Sequence, residues 1–294
     1  MVALALDVGG TKMAAARVRA DGTLDAPRTV PTPAAGVWAA CAELLRRVAA
    51  GAEVTAVGIA SAGPVDVGAG AVAPINIGEW AGGFGLVDAV RGLFPRSRVR
   101  LAVDGAAAAL AEHRLGAGRG ATDLVGVVVS TGIGGGLVLG GRIAGGRTGN
   151  AGHIGHMVSS VGADPCACGG VGCVETVASG PAAVRWAREH GWSGADGAAL
   201  ARAAGAGDPV AVAALGRAGA ALGEVFASAA ALVDVDLVVV GGGFAQAGEP
   251  MWRPMREAAA RHARLPFLTG LEIVPARLAA VGTLTGAGIL AVGD

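Results

Sequence analysis

The sequence predicts an α/β protein built from two similar lobes. Two segments, residues 2–22 and 124–141, each read as a buried-type strand, a glycine turn, a second strand and a tight hairpin. A unit that recurs within one chain indicates repeated structure, so we expect two α/β lobes that face each other. The small lobe should comprise residues 1–105 and 282–294, and the large lobe residues 106–281.

The elements between the two repeats alternate between helix and strand. A helix and a strand come first, then a hairpin that turns through Gly68-Ala69-Gly70, a second helix and a second strand. A long alanine-rich helix then crosses toward the second lobe. In chain order we predict these elements at residues 34–50, 54–60, 65–72, 85–93, 99–103 and 106–115.

The second repeat opens the larger part of the chain. Its two strands precede a cysteine-rich loop and a mainly helical region that is broken near 191–194 and at Asp208-Pro209. A late strand runs into a glycine triplet, and a final helix returns to the first lobe. The predicted ranges are strands 124–129, 137–139 and 236–240, the helical region 181–233, and the final helix 282–291.

Composition and charge argue against several classes of partner. Of the 294 residues, 53% are hydrophobic, which allows a sizeable core. The formal net charge is zero and no run of like charge occurs, so neither nucleic acid nor an anionic membrane is expected as a partner. No apolar stretch reaches the roughly 18 residues that span a bilayer. The run from Met1 to Leu6 ends at Asp7 and lacks a basic region, which indicates a strand and not a signal peptide.

The cysteine-rich loop predicts a zinc site. Cys166, Cys168 and Cys173 lie within eight residues among glycines, and His156 lies ten residues upstream. One nitrogen and three sulfurs are the usual ligands of a closed tetrahedral structural zinc. The alternative is three buried free thiols. A redox disulfide is less favoured, because it would leave one of the three cysteines unpaired and would not use the histidine. Metal thiolates fit a reducing cytosol, so we expect a cytoplasmic protein. The fourth cysteine, Cys41, is predicted to be a core residue.

Two of the glycine turns are predicted phosphate loops. Glycines let backbone N–H groups approach phosphate oxygens, and a threonine hydroxyl adds a donor. A carboxylate at the strand end can hold Mg²⁺ through water. On its own, the first glycine turn would indicate only a hairpin turn. Neither glycine turn has the Gly-(x4)-Gly-Lys-Ser/Thr spacing of a Walker P-loop. The first loop comprises Asp7, Gly9, Gly10, Thr11 and Lys12, and the second comprises Thr131, Gly132, Gly134 and Gly135.

The run Gly-His-Met…Cys-x-Cys-Gly-x-x-Gly-Cys-x-Glu, residues 155–175, is similar to the signature of the ROK family of repressors, open reading frames and sugar kinases. The resemblance covers nearly the whole chain. It implies a two-lobed, actin-like (ribonuclease-H-like) ATPase fold, with Mg²⁺-ATP and sugar in the cleft and a structural zinc beside the sugar. Gly241, Gly242 and Gly243 resemble the adenosine loop of this superfamily, and a plain strand-to-helix turn is the alternative.

The resemblance also assigns roles in the sugar pocket. Asp104 matches the catalytic aspartate that accepts the proton of the sugar hydroxyl; the alternative is a helix N-cap. Glu175 matches a sugar-contacting glutamate, and His156 could orient a hydroxyl through its second nitrogen. Asn76 matches an asparagine of the sugar-side loop, or is only a turn residue. Val103 departs from the family, which usually has asparagine there to hold sugar hydroxyls.

His153 is the strongest indication of the substrate. Glucokinases of this family have glutamate three residues before the zinc histidine, whereas bacterial N-acetylmannosamine kinases carry Ala-Gly-His-Ile-Gly-His, as residues 151–156 do here. A carboxylate only accepts hydrogen bonds, while an imidazole can donate one to an acetyl carbonyl. The alternative is drift within the family without a change of specificity.

Together these residues predict a cytoplasmic, ATP-dependent kinase that phosphorylates the 6-hydroxyl of N-acetylmannosamine or a related hexose. A glucokinase is the nearest alternative. The family's repressors carry a helix-turn-helix before the first phosphate loop, for which Asp7 leaves no room. A third alternative is a sugar-binding protein that has lost catalysis. Val103 favours this alternative, whereas the presence of Asp104 argues against it. The family is often dimeric, so we expect a homodimer.

Overall fold

The computed structural model describes residues 1–278 and 281–293. Strands and helices alternate along most of the chain. The strands are β1 (Val2–Val8), β2 (Lys12–Val18), β3 (Leu24–Pro31), β4 (Val54–Ser61), β5 (Val65–Asp66), β6 (Ala71–Val72), β7 (Arg98–Val103), β8 (Leu124–Val129), β9 (Ile133–Leu139), β10 (Arg142–Ile143), β11 (Leu237–Gly241) and β12 (Glu272–Pro275). The helices are α1 (Val37–Ala49), α2 (Leu86–Leu93), α3 (Asp104–Leu115), α4 (Glu175–Ala178), α5 (Gly180–Glu189), α6 (Gly197–Gly205), α7 (Pro209–Val233), α8 (Glu249–His262) and α9 (Gly282–Val292).

Two five-stranded sheets of similar design form the framework. Their strand orders are β3-β2-β1-β4-β7 and β10-β9-β8-β11-β12. In each, a central strand pairs antiparallel with the strand after its glycine turn and parallel with a later strand: β1 with β2 and β4, and β8 with β9 and β11. The predicted repeat and the two-lobed α/β class are confirmed. The lobe boundaries at residues 105 and 281 stay a prediction.

Helix α9 returns to the first sheet, as predicted, and packs closely against β4 and α3. A Cβ added to Gly58 of β4 would collide with the carbonyl oxygen of Ala287, and one added to Gly286 would collide with that of Ala107. Both alanines are fully buried. The absence of side chains at the two glycines therefore lets the backbones of β4, α9 and α3 come into direct contact.

Sequence reasoning missed three elements, β3, α8 and β12. Helix α8 carries Pro250 in its first turn and Pro254 in its interior, a residue that usually ends or kinks a helix. Strand β12 has only four residues and ends at Pro275. Strand β3 contributes mostly exposed residues to the sheet edge, so it lacks the buried apolar run of a central strand.

The long helix α7 corrects one expectation from the sequence. Among the described residues, α7 is the one helix long and apolar enough by length and composition to cross a membrane. However, 61% of its most apolar window is buried inside the protein. A Cβ on Gly219 or Gly223 would collide with the carbonyl of Met251 or Met255, respectively, so α7 lies directly against α8. Core packing accounts for its apolar sequence.

The contact between α9 and α3 yields a stability prediction. Gly286→Ala should lower the free energy of unfolding by about 1–3 kcal/mol, because its methyl group overlaps the Ala107 carbonyl and the helices must separate. Gly205→Ala, at the end of α6 with no atom near the added methyl, should be neutral or stabilise by up to about 1 kcal/mol. Urea unfolding of both variants measures the difference, and equal effects would contradict the packing argument.

Candidate functional site

The first glycine loop joins β1 to β2 and is held from behind by Thr32. The Thr32 hydroxyl donates to the carbonyl oxygen of Gly9 at 2.6 Å, and its N–H donates to that of Thr11 at 3.0 Å. The Gly9 N–H donates to the carbonyl of Lys12 at 3.0 Å, which closes the turn. Thr11 and Lys12 are exposed, so the loop is accessible to a ligand in the cleft. Thr32 was not singled out from the sequence.

The second and third glycine loops meet at the carboxyl ends of the neighbouring strands β8 and β11. Gly242 has φ +97°, and a Cβ there would lie 2.7 Å from the backbone nitrogen of Val129, so only glycine fits. The N–H of Ser130 donates to the carbonyl of Gly132 at 2.8 Å, and the Ser130 carbonyl accepts from Gly180 at the start of α5 at 2.9 Å. The structure thus brings Thr131, Gly132 and the predicted adenosine-loop glycines to one edge of the second sheet. Gly134 and Gly135, predicted in the loop, lie instead in β9, where they pair with Val128 and Val127.

A cavity of about 910 Å³ opens beside these two loops. It lies between α5, α6 and the short 3₁₀ helix Phe244–Ala247, with Thr131 and Gly243 in its lining. The side chain of Arg188 shapes one wall by donating to the carbonyl oxygens of Gly194 and Ala195 at 3.0 and 2.8 Å. Its size and largely apolar walls suit a small organic ligand. The sequence did not predict this cavity, because its walls come from helices that lie apart along the chain.

Two carboxylates, Asp7 and Asp104, lie in the cleft near the ends of β1 and β7. Burial is the main cause that raises the pKa of Asp7 to about 7; the charge of Asp104 adds to the shift and Lys12 opposes it. Burial also raises the pKa of Asp104, while the Gly105 N–H and His153 lower it. Desolvation of both carboxylates, together with the repulsion of Asp7 by Asp104, therefore makes ionisation costly without a cation.

Asp104 is not an N-cap. Helix α3 begins at Asp104 itself, and the N-cap position belongs to Val103, which makes no side-chain cap. The Oδ1 atom of Asp104 accepts the N–H of Gly105 at 2.7 Å, which leaves Oδ2 without a partner among the described residues. The carboxylate is therefore fixed in orientation with one oxygen available, the arrangement that a general base needs.

His153 lies beside Asp104, and its protonation differs from the one expected. Its Nδ1 atom is 3.0 Å from the carbonyl oxygen of Asn150, so Nδ1 carries the proton. The Nε2 atom lies near Gly63, where an added Cβ would be 3.3 Å away, with Val103 Cγ2 on the same face. Neutral His153 therefore accepts a hydrogen bond through Nε2 and donates from it only when protonated. The expectation of simple donation to an acetyl carbonyl needs this correction.

The two other predicted sugar ligands lie next to the glycine loops. The Oε2 atom of Glu175 accepts the N–H of Ile133 at 2.7 Å, which ties the start of α4 to the second phosphate loop. Asn76 lies over the first loop, where a Cβ added to Gly10 would be 2.5 Å from its Cγ. Glu175 therefore has one oxygen bound to the backbone and one without a partner among the described residues.

The four predicted zinc ligands converge. Their ligand atoms all lie within 4.8 Å of one another, with His156 Nδ1 to Cys166 Sγ at 3.8 Å and Cys168 Sγ to Cys173 Sγ at 3.7 Å. A tetrahedron with metal–sulfur bonds of about 2.3 Å has edges of about 3.8 Å, so the donor set fits zinc. The rings of His156 and His153 are 6.0 Å apart, which places the cluster beside the cleft.

Two similar sheets, with glycine loops at equivalent strand ends and a carboxylate pair in the cleft, are the arrangement of an actin-like carbohydrate kinase. The sequence profile of the ROK family matches residues 3–293, and the chain belongs to this family.

Relatives of known name cover most of the chain. An N-acetylmannosamine kinase of Escherichia fergusonii is 38% identical over 245 residues, 82% of this chain and 83% of that protein. A ROK hexokinase from Thermus thermophilus is 38% identical with a TM-score of 0.86, over 99% and 98% of the two chains. A ROK glucokinase from Streptomyces griseus, solved with glucose and AMPPNP, is 31% identical with a TM-score of 0.83 over both whole chains.

Proposed function

We propose that the protein transfers a phosphoryl group from Mg²⁺-ATP to the 6-hydroxyl of N-acetylmannosamine, with glucose as the nearest alternative. The observation that carries the proposal is the position of Asp104, a desolvated carboxylate with one free oxygen that lies next to His153. The similarity to N-acetylmannosamine kinases and the Ala-Gly-His-Ile-Gly-His run support this sugar.

We assign the roles of the cleft residues from their positions and from the family resemblance. Oδ2 of Asp104 accepts the hydroxyl proton as the sugar oxygen attacks the terminal phosphorus of ATP, and the bond from that phosphorus to the bridging oxygen of the β-phosphate breaks, which releases ADP. The glycine loops offer N–H groups to the phosphates, and Thr11 and Thr131 add hydroxyl donors. Asp7 would hold Mg²⁺ through water, and the ion would supply positive charge that neutralises the phosphates. The cavity of about 910 Å³ is our proposed place for the adenosine.

On the sugar side, we assign hydroxyl contacts to Asn76, to the free oxygen of Glu175 and to His156. Zinc would be held by His156 Nδ1 and the three thiolates, which brace the loop that presents Glu175 two residues after Cys173. The family resemblance supports a cytoplasmic homodimer. The balanced charge supports small molecules, and neither nucleic acid nor a membrane, as partners.

The base assignment predicts the effect of Asp104→Asn. A neutral amide cannot accept the proton, so kcat should fall by about 10²- to 10⁴-fold while the fold persists. Because burial raises the pKa of Asp104 above 3.8, wild-type activity should fall as the pH drops through this raised pKa. Asp88→Asn, an exposed change on α2, is the control. A coupled assay over a pH series tests both points, and an Asp104→Asn variant with over about a tenth of wild-type kcat would require another base.

The metal assignment predicts about one zinc ion per chain. Cys168→Ser should lower the zinc content and, by loosening the loop before Glu175, the activity. Cys41→Ala removes a buried thiol that contacts Met13, outside the cluster, and should leave the zinc content unchanged. Elemental analysis measures both variants. Fully active protein without metal would exclude a structural zinc.

The substrate assignment predicts a change of preference in His153→Glu. The substitution replaces the neutral acceptor Nε2 with a charged carboxylate, which repels the acetyl carbonyl and accepts more strongly from a glucose hydroxyl. The ratio of kcat/KM for N-acetylmannosamine to that for glucose should fall by roughly 5- to 150-fold, the equivalent of about 1–3 kcal/mol. His262→Glu, on the exposed end of α8, should leave the ratio unchanged. An unchanged ratio in the His153→Glu variant, or wild-type preference for glucose, would favour the glucokinase alternative.

A further inference from the structure

Asn150 links two segments that lie far apart in the sequence. It lies in the loop that follows β10 of the second sheet, whereas Val65 belongs to the β5–β6 ribbon that follows β4 of the first sheet. The N–H of Val65 donates to Asn150 Oδ1 at 2.9 Å, and Asn150 Nδ2 donates to the carbonyl of Val65 at 2.6 Å. The side-chain amide of Asn150 thus forms hydrogen bonds with both the N–H and the carbonyl group of Val65.

Neighbouring contacts strengthen the same link. The N–H of Val67 donates to the carbonyl of Thr148 at 2.9 Å, and Asn150 Nδ2 also donates to the Thr148 hydroxyl at 2.9 Å. Gly149 has φ +100°, and a Cβ there would meet the Val67 side chain, so the two segments are in direct contact. The β5–β6 ribbon and the loop around Asn150 therefore form one clamp.

The same residue controls His153 through its main chain. The carbonyl oxygen of Asn150 accepts the proton of His153 Nδ1 at 3.0 Å, which directs Nε2 toward Gly63 and the sugar side. Gly63 lies just before the ribbon that Asn150 holds. Loss of the clamp would therefore release the ribbon that begins two residues after Gly63, next to His153 Nε2.

We propose that Asn150 is a positioning residue that couples closure of the cleft to the orientation of His153 against the bound sugar. The inference rests on the proposed function, since it concerns the same sugar pocket. A ligand that contacts both His153 and the ribbon favours the closed state, and the two Asn150–Val65 hydrogen bonds add to that preference. Their loss should weaken sugar binding and leave the chemical step nearly intact.

Asn150→Ala tests the proposal, because it removes both bonds to Val65 and keeps the carbonyl that orients His153. KM for N-acetylmannosamine or glucose should rise by about 5- to 150-fold, while kcat at saturating sugar changes by less than about 3-fold. Thr269→Val is the control: it removes an exposed side-chain bond to the carbonyl of Pro266, outside the clamp, and should leave KM near the wild-type value. A wild-type KM in the Asn150→Ala variant, or a loss confined to kcat, would overturn the coupling.

Amide hydrogen exchange gives a second readout that does not need activity. In ligand-free protein the Val65 and Val67 amides should exchange faster in the Asn150→Ala variant than in wild type, while core amides of β8 stay equally protected. Saturating N-acetylmannosamine or glucose should slow the Val65 amide further in wild type only. Equal exchange in both proteins would overturn the clamp itself. If neither sugar is phosphorylated but the exchange difference is present, the proposed function fails and the clamp stands.

Discussion

The close approach of helix α3 to strand β9 is the constraint on which the cleft depends. Asp104 begins α3, and the next residue, Gly105, lies so near Gly135 that a Cβ would overlap its backbone; a Cβ on Gly136 would likewise overlap the backbone of Ala106. The helix that carries the carboxylate is thus in backbone contact with the strand that follows the second phosphate loop. Small residues on both sides set this distance, so a larger one would separate the two halves of the site.

The other end of α3 is fixed by a buried charge. Glu112 is 5% exposed, and its carboxylate accepts the N–H groups of Ala117, Arg277 and Leu278 at 2.7, 3.1 and 2.7 Å. Hydrogen bonds to a charged acceptor are stronger than neutral ones and offset the cost of desolvation. Since residues 277 and 278 lead toward α9, this carboxylate joins the two chain segments that connect the sheets.

The two desolvated carboxylates of the cleft would favour a bound cation. Burial raises the pKa of both Asp7 and Asp104, and the charge of Asp104 raises that of Asp7 further, while Lys12 opposes that shift. A divalent ion with a polyphosphate would relieve the repulsion between the carboxylates and occupy the N–H groups of the glycine loops. Beside the cleft, a metal held by the Cys/His cluster would fix the loop before Glu175.

The sequence by itself determined the repeated strand–turn–strand units, the three glycine loops and the four candidate metal ligands. These features depend on periodicity and spacing over a few residues, which local chemistry constrains. Only the tertiary structure decided the protonated nitrogen of His153, the role of Glu112, the clamp at Asn150 and the cavity beside α5. Asn150 pairs with a residue 85 positions away and Glu112 with one 165 positions away. Local patterns carry no information about partners that distant, because the packing of helices and sheets brings them together.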